Sequence, residues 1–166
     1  EGFDLAIRIG NLVESSLVAR KLAPVRLVVC GSPAYLAEHG IPETPDQLST
    51  HQCLRYTYSS NTDIWRFEKD GTRYDVRIAG TIAANNGNAL REAAIEGAGL
   101  LREPTFIVGR DIREGRLQVV LDEFNVEEMA AYALYAHRQY LSAKVRTFVD
   151  FLADYFGAPP YWDRRD

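Results

Sequence analysis

The sequence predicts an α/β fold arranged as two lobes, and three observations carry that reading. Short runs rich in β-branched residues recur along the 166 residues, each bounded by turn or cap signals. Residues 76–106 read as strand, helix and strand, a unit that demands a right-handed crossover and a parallel pair of strands. Residues 142–157 read as a capped helix whose wide apolar face needs a sheet against it.

The elements follow in order. Phe3-Asp4-Leu5-Ala6-Ile7-Arg8-Ile9-Gly10 alternates, with Leu5, Ile7 and Ile9 on one face, and Gly10 leaves the exit loop free to approach a ligand. Residues 17–22 read as a second short strand. Residues 25–30 read as a third, apolar on both faces and therefore central. Ser32 and Pro33 open a short helix that Gly40 ends, and Thr44-Pro45 repeats the device for one turn. Residues 53–58 read as a strand followed by a polar loop, and Asp70-Gly71 marks a hairpin between residues 64–68 and 73–76.

In the central unit, residues 76–82 form the first strand and Asn85-Asn86-Gly87-Asn88 starts the helix. Gly97-Ala98-Gly99 stops it, and Leu100-Leu101 begins the second strand, which Pro104 ends. A short helix closes at Gly115, residues 116–121 form a strand, and residues 130–137 form an apolar run long enough to pass between lobes. Ser142 caps the last helix, whose stripe of Val145, Phe148, Val149, Leu152, Tyr155 and Phe156 reads as core, with Pro159-Pro160-Tyr161-Trp162 as an extended tail. The simplest closure puts the first three strands in one sheet under that helix. Lobe I then comprises 1–31 and 133–166, lobe II comprises 32–132, and a ligand lies in the cleft between them.

Composition narrows the function. A net charge of −4 argues against this piece gripping nucleic acid itself. Two cysteines, Cys30 and Cys53, give no disulfide framework, which points to a reducing, cytoplasmic setting. No apolar run approaches the roughly 20 residues of a membrane span, and the start on Glu1 suggests a piece of a longer protein. The sequence holds no G-x-S-x-G elbow, Walker loop or H-E-x-x-H, and Gly97-Ala98-Gly99 follows a helix where a dinucleotide fingerprint precedes one. No catalytic residue is assigned, so the chain reads as a non-enzyme. Cys30, His39, His51 and Cys53 are zinc-type residues without the short C-x-x-C repeat, so neither metal nor cofactor is expected.

The candidate site is the amino end of the central helix. It lies beyond the carboxyl end of the preceding strand, where open α/β sheets bind ligands and where free N–H groups favour an anion. Asn85, Asn86, Gly87 and Asn88 are its nucleus, with a solvated cap as the plainer alternative. Arg8 is a candidate counter-charge, Gly10 and Asn11 candidate cleft lining, and Tyr58 and Ser59 candidate contacts for an aromatic ligand. Pro104 completes the set. For Arg8 the alternative is a surface arginine, and for the tyrosines it is core packing.

Residues 1–10, 17–22 and Cys30-Gly31-Ser32-Pro33-Ala34-Tyr35-Leu36 resemble the effector-binding domain of LysR-type transcriptional regulators. So do Asn85-Asn86-Gly87-Asn88-Ala89-Leu90, Gly97-Ala98-Gly99-Leu100, Pro104-Thr105-Phe106, residues 141–146 and Pro160-Tyr161-Trp162-Asp163. The resemblance runs in order over nearly the whole chain. It implies a type 2 periplasmic-binding-protein-like fold, here lacking the first β-α-β of lobe one. It also implies a small, often acidic effector, a homodimer or tetramer, and operator DNA held by an N-terminal winged helix-turn-helix outside this chain, with no membrane partner. Arg102-Glu103 stand where many relatives carry apolar residues or Gln, either altering effector preference or forming a surface ion pair. A free solute-binding protein of a transporter and a two-lobed lyase are the alternatives.

Overall fold

The computed structural model describes residues 3–10, 16–58, 63–126, 129–136 and 142–163. It divides into two units, Glu1–Arg26 with Glu128–Asp166, and Leu27–Glu127.

In the first unit, β1 (Ala6–Gly10), β2 (Leu17–Val25) and β11 (Met129–Ala136) form an antiparallel sheet in the order β1-β11-β2. Helix α4 (Ala143–Phe156) begins where Ser142 Oγ accepts from Val145 N and ends at Gly157. Its Val145 and Val149 pack with Leu22, Val25, Ala131 and Ala133, each buried valine or leucine contributing on the order of 1.5–3 kcal/mol.

One sequence expectation needs correction here. Of the stripe's aromatics Phe148 is 45% and Tyr155 57% exposed, so these two are surface, Tyr155 stacking on the equally exposed Phe151, whereas Phe156 packs against the core as expected. A helix with apolar residues at so many positions cannot turn all of them toward one three-stranded sheet. Residues 161–163, expected to be extended, form a short 3₁₀ turn.

The second unit is built on a five-stranded sheet of β3 (Leu27–Gly31), β4 (Cys53–Tyr56), β7 (Ala83–Ala84), β8 (Leu100–Pro104) and β9 (Gln118–Val120), in the order β7-β4-β8-β3-β9. Alternation along the strands buries both faces. Val29, Cys53 and Leu100 meet α1 (Pro33–His39) and the hairpin of β5 (Ile64–Lys69) and β6 (Thr72–Arg77), to which β10 (Asn125–Val126) adds beside β5. Val28, Cys30, Leu54 and Leu101 meet α2 (Gly87–Ile95) and α3 (Thr105–Arg113). Asp70 (φ 51°) and Gly71 (φ 75°) make the hairpin turn that their sequence demanded.

Strand β3 pairs with β8 and β9, so the first three strands do not share a sheet. The expected strand over 76–82 is also divided. Val76 and Arg77 close the hairpin, Ala79 makes a single parallel bridge to Gln52, and only Ala83 and Ala84 pair with β4. Hence β7 and β8 are both parallel to β4 but lie on its two sides rather than next to each other.

Two glycines explain how closely the chain passes β4. A Cβ on Gly80 would stand 1.9 Å from Cys53 O, and one on Gly99 (φ 154°) 2.4 Å from Gln52 O. Within this slot Cys53 N donates to Ala79 O and Leu100 N donates to Gln52 O, both at 2.8 Å.

Candidate functional site

The start of α2 is set by Asn86. Its extended backbone (φ −130°, ψ 112°) ends the strand, and its Oδ1 accepts from Asn88 N at 2.9 Å and Ala89 N at 3.2 Å. That cap is worth about 1 kcal/mol to the helix. Leu90 and Ala94 then turn one face of α2 into the core, which leaves Asn85, Asn86 and Asn88 exposed at its amino end.

Tyr58 stands beside them. Asn85 Nδ2 donates to the Tyr58 hydroxyl at 3.3 Å, and the Tyr58 ring, 74% exposed, meets Tyr56 edge-on at 6.1 Å. The Asn88 carbonyl accepts from Arg91 at 3.3 Å. The free amides expected here are partly taken, since those of Asn88 and Ala89 serve Asn86 Oδ1. What the patch offers is an exposed aromatic face, carboxamides and the positive end of a helix dipole, which suits a small anion with an apolar body.

Of the residues singled out from the sequence, Tyr58, Asn85, Asn86, Gly87 and Asn88 come together at α2. Pro104 is buried at the end of β8, where it precedes the first residue of α3. Arg8 and Gly10 lie on β1 of the first unit, opposite Tyr132 and Ala130. Asn11 and Ser59 lie outside the described residues. A hollow of about 240 Å³ in the first unit, lined by Phe3, Leu5, Leu17, Leu134 and Val145, contains none of the singled-out residues.

Glu103 is the residue whose setting the sequence concealed. It is 5% exposed, on the face of β8 that carries Leu101 and meets α2 and α3. Arg102 points to the opposite face, its guanidinium 5.4 Å from the centre of the Trp65 ring, so the pair does not form a surface ion pair. Glu103 Oε1 has no hydrogen-bond partner, and neither does Thr105 Oγ1, also buried, at the start of α3. Burial pushes the Glu103 carboxyl up to about 7, against a smaller opposing pull from Arg102. Gly87 lies directly above it: a Cβ there would stand 2.9 Å from Ile107 Cδ1 and 3.0 Å from Glu103 Oε2, both side-chain ends. Parity with Leu101 along the strand was the available signal.

Deeper in the same layer Asp111, 2% exposed, is held by Arg116 at 2.6 Å and Arg91 at 3.6 Å. Cys30 and Cys53 are buried thiols pushed up to about 12, Cys30 by desolvation and then by Glu103 and Asp111, Cys53 by desolvation. Thiols so raised are poor nucleophiles and poor redox sensors. His51 is occupied by Tyr35: Gln52 N donates to the Tyr35 hydroxyl at 3.0 Å, so that hydroxyl is free to donate to His51 Nδ1 at 3.1 Å. No group of three or more His, Cys, Asp or Glu among the described residues is placed to hold a metal ion. Among them, too, no helix is long and apolar enough to cross a membrane.

The family model of the LysR substrate binding domain matches residues 1–157. The HTH-type transcriptional activator AaeR of Escherichia coli is 32% identical over 156 residues, 94% of this chain and 50% of that protein. The regulatory domain of CrgA, a LysR-type regulator from Neisseria meningitidis, is 34% identical, with a TM-score of 0.78 over 93% of this chain and 76% of that one. Full-length AphB, a virulence activator of Vibrio cholerae, is 30% identical, with a TM-score of 0.79 over 92% of this chain and 52% of that one. The chain thus spans about half the length of the curated relatives it matches.

Proposed function

The chain belongs to the LysR substrate-binding domain family, and from that premise we propose that it senses a small metabolite on behalf of a transcriptional regulator. The intact protein contacts operator DNA through a helix-turn-helix segment outside this chain, as its relatives' description as HTH-type regulators supports, and it works as a homodimer or tetramer. The chain has no catalytic role in this reading. The effector is an acidic or aromatic molecule that binds at the amino end of α2, and its binding energy shifts the regulator between two states.

One observation carries the placement. The Asn85–Tyr58 hydrogen bond joins an exposed aromatic ring to the capped, electropositive start of a helix. That contact holds an apolar ring beside the positive end of a helix, the combination a ring bearing a carboxylate would use.

A thermal-shift screen of metabolites on the intact regulator identifies the effector, and calorimetry on Asn88→Leu then tests the site. Asn88 is exposed and its side chain closes no core, so the variant keeps its unfolding free energy within about 0.5 kcal/mol. Its affinity for the effector falls at least several-fold. Unchanged affinity in a folded variant removes α2 from the site.

A further inference from the structure

We propose that Glu103 couples the effector site to protons: its carboxyl, lodged against the first residue of α2, carries a proton whenever a carboxylate occupies the amino end of that helix. Anion binding there then draws a proton from solvent onto a Glu103 oxygen. This deepens the effector reading of α2, on which it rests, by adding regulation through pH.

The geometry makes the case. The Glu103 side chain is more than nine-tenths buried, and its Oε2 lies 3.0 Å from the place of a Cβ on Gly87, the first residue of α2. Its Oε1 is out of water without a donor, while the neighbouring Thr105 hydroxyl is buried and unpartnered as well. A carboxylate retained for its charge is surrounded by donors; one lacking them in a low-dielectric layer favours its neutral form. The α2 amides that could have served it, those of Asn88 and Ala89, are already given to Asn86 Oδ1.

The surroundings supply little else. From β3 comes the neutral Cys30 thiol, and from β4 the half-exposed Tyr56 and Arg55, the latter bound to Asp63 at 2.8 Å. Arg91 of α2 and Asp111 of α3 are engaged with each other, and Asp111 with Arg116. Arg102 of β8 lies over Trp65 on the other face. Glu92 of α2 and Arg110 of α3 are exposed, the first against Arg91 and the second against Glu114. An anion arriving at α2 therefore meets Glu103 as the nearest uncompensated carboxyl. Ionised, it repels the newcomer; protonated, it is a hydrogen-bond donor.

Because Glu103 sits at about 7 before any ligand arrives, the coupling operates in the neutral range. Apparent affinity for a carboxylate falls by up to about tenfold per pH unit above that value.

The test uses acetate, succinate and benzoate as probes on the intact chain, followed by the amide signals of Gly87 and Asn88 and by the carboxyl ¹³C signal of Glu103 between pH 5.5 and 8.5. Expected is a Glu103 midpoint near neutrality that moves up with bound carboxylate, and weakening affinity as the pH rises. Glu103→Gln and Glu103→Leu bind the same probe with affinity independent of pH in this window. Equal pH profiles in wild type and both variants overturn the coupling while leaving the effector site standing. A Glu103 signal that titrates below pH 5.5 also overturns it. Failure of all three probes to move the Gly87 and Asn88 amides overturns the site itself, and the coupling with it.

Discussion

Replacing Glu103 by leucine removes a titrating group from the core of the second unit, and the consequence for stability follows from its setting. Burial raises the carboxyl from its ordinary 4.5 to about 7. The native state therefore holds a proton that the unfolded chain has already released between those two values. Stability is intact below pH 4.5 and is lost as the pH rises through 7. At 1.36 kcal/mol per pH unit the penalty by pH 8 is about 3 kcal/mol, a large share of the 5–15 kcal/mol typical of a domain. Urea unfolding followed by Trp65, which is 3% exposed in the same unit, measures it in a Trp162→Phe background. Relative to Glu103→Leu, wild type loses about 3 kcal/mol between pH 4.5 and 8, and the leucine variant is the more stable protein at pH 8. Parallel profiles for the two proteins refute the burial argument.

Other perturbations test other parts of the molecule. His51 is buried, and desolvation, with His39 adding to it, holds its imidazole below the usual 6.5. The unfolded chain therefore protonates first, and this residue's contribution is lost as the pH falls below 6.5. Urea midpoints at pH 5 and 7 should lie further apart in His51→Gln than in wild type, because the Glu103 slope common to both is no longer offset by His51. Leu90→Ala, at a position 1% exposed, should cost about 2–5 kcal/mol in a urea titration. Phe148→Ala, at a position 45% exposed, should cost less than about 1 kcal/mol; a loss above 3 kcal/mol would put the aromatic stripe back in the core.

Local signals in the sequence carried furthest where the chemistry is local. Ser32, Asn86 and Ser142 each cap the helix expected of them, because a side-chain oxygen answering a free amide needs nothing from the rest of the chain. The hairpin at Asp70-Gly71 is legible for the same reason. Partner choice between strands is not. The apolar run 25–30 announces a strand buried on both faces, but whether it joins β1 and β2 or β8 and β9 depends on pairings with residues some 70–90 positions away. The division of residues 76–82 depends on Gly80 meeting the backbone of Cys53, a contact with no sequence neighbour to betray it. At the site, the asparagines were readable from cap chemistry. Glu103 was not, because charge argues outward where strand parity argues inward, and parity prevailed.

The slot around Gln52 and Cys53 has a mechanical meaning for the ligand patch. Two glycine backbones grip the root of β4, and the strand runs only to Tyr56 before the chain reaches Tyr58. The Tyr58 ring proposed to meet the effector is thus the tip of a short lever whose fulcrum admits no methyl group. Evolution can vary what that tip recognises by changing residue 58 alone. The pivot itself has no such latitude, since a bulkier residue at 80 or 99 would displace β4 at Cys53 or Gln52 and so re-aim the aromatic tip at residue 58.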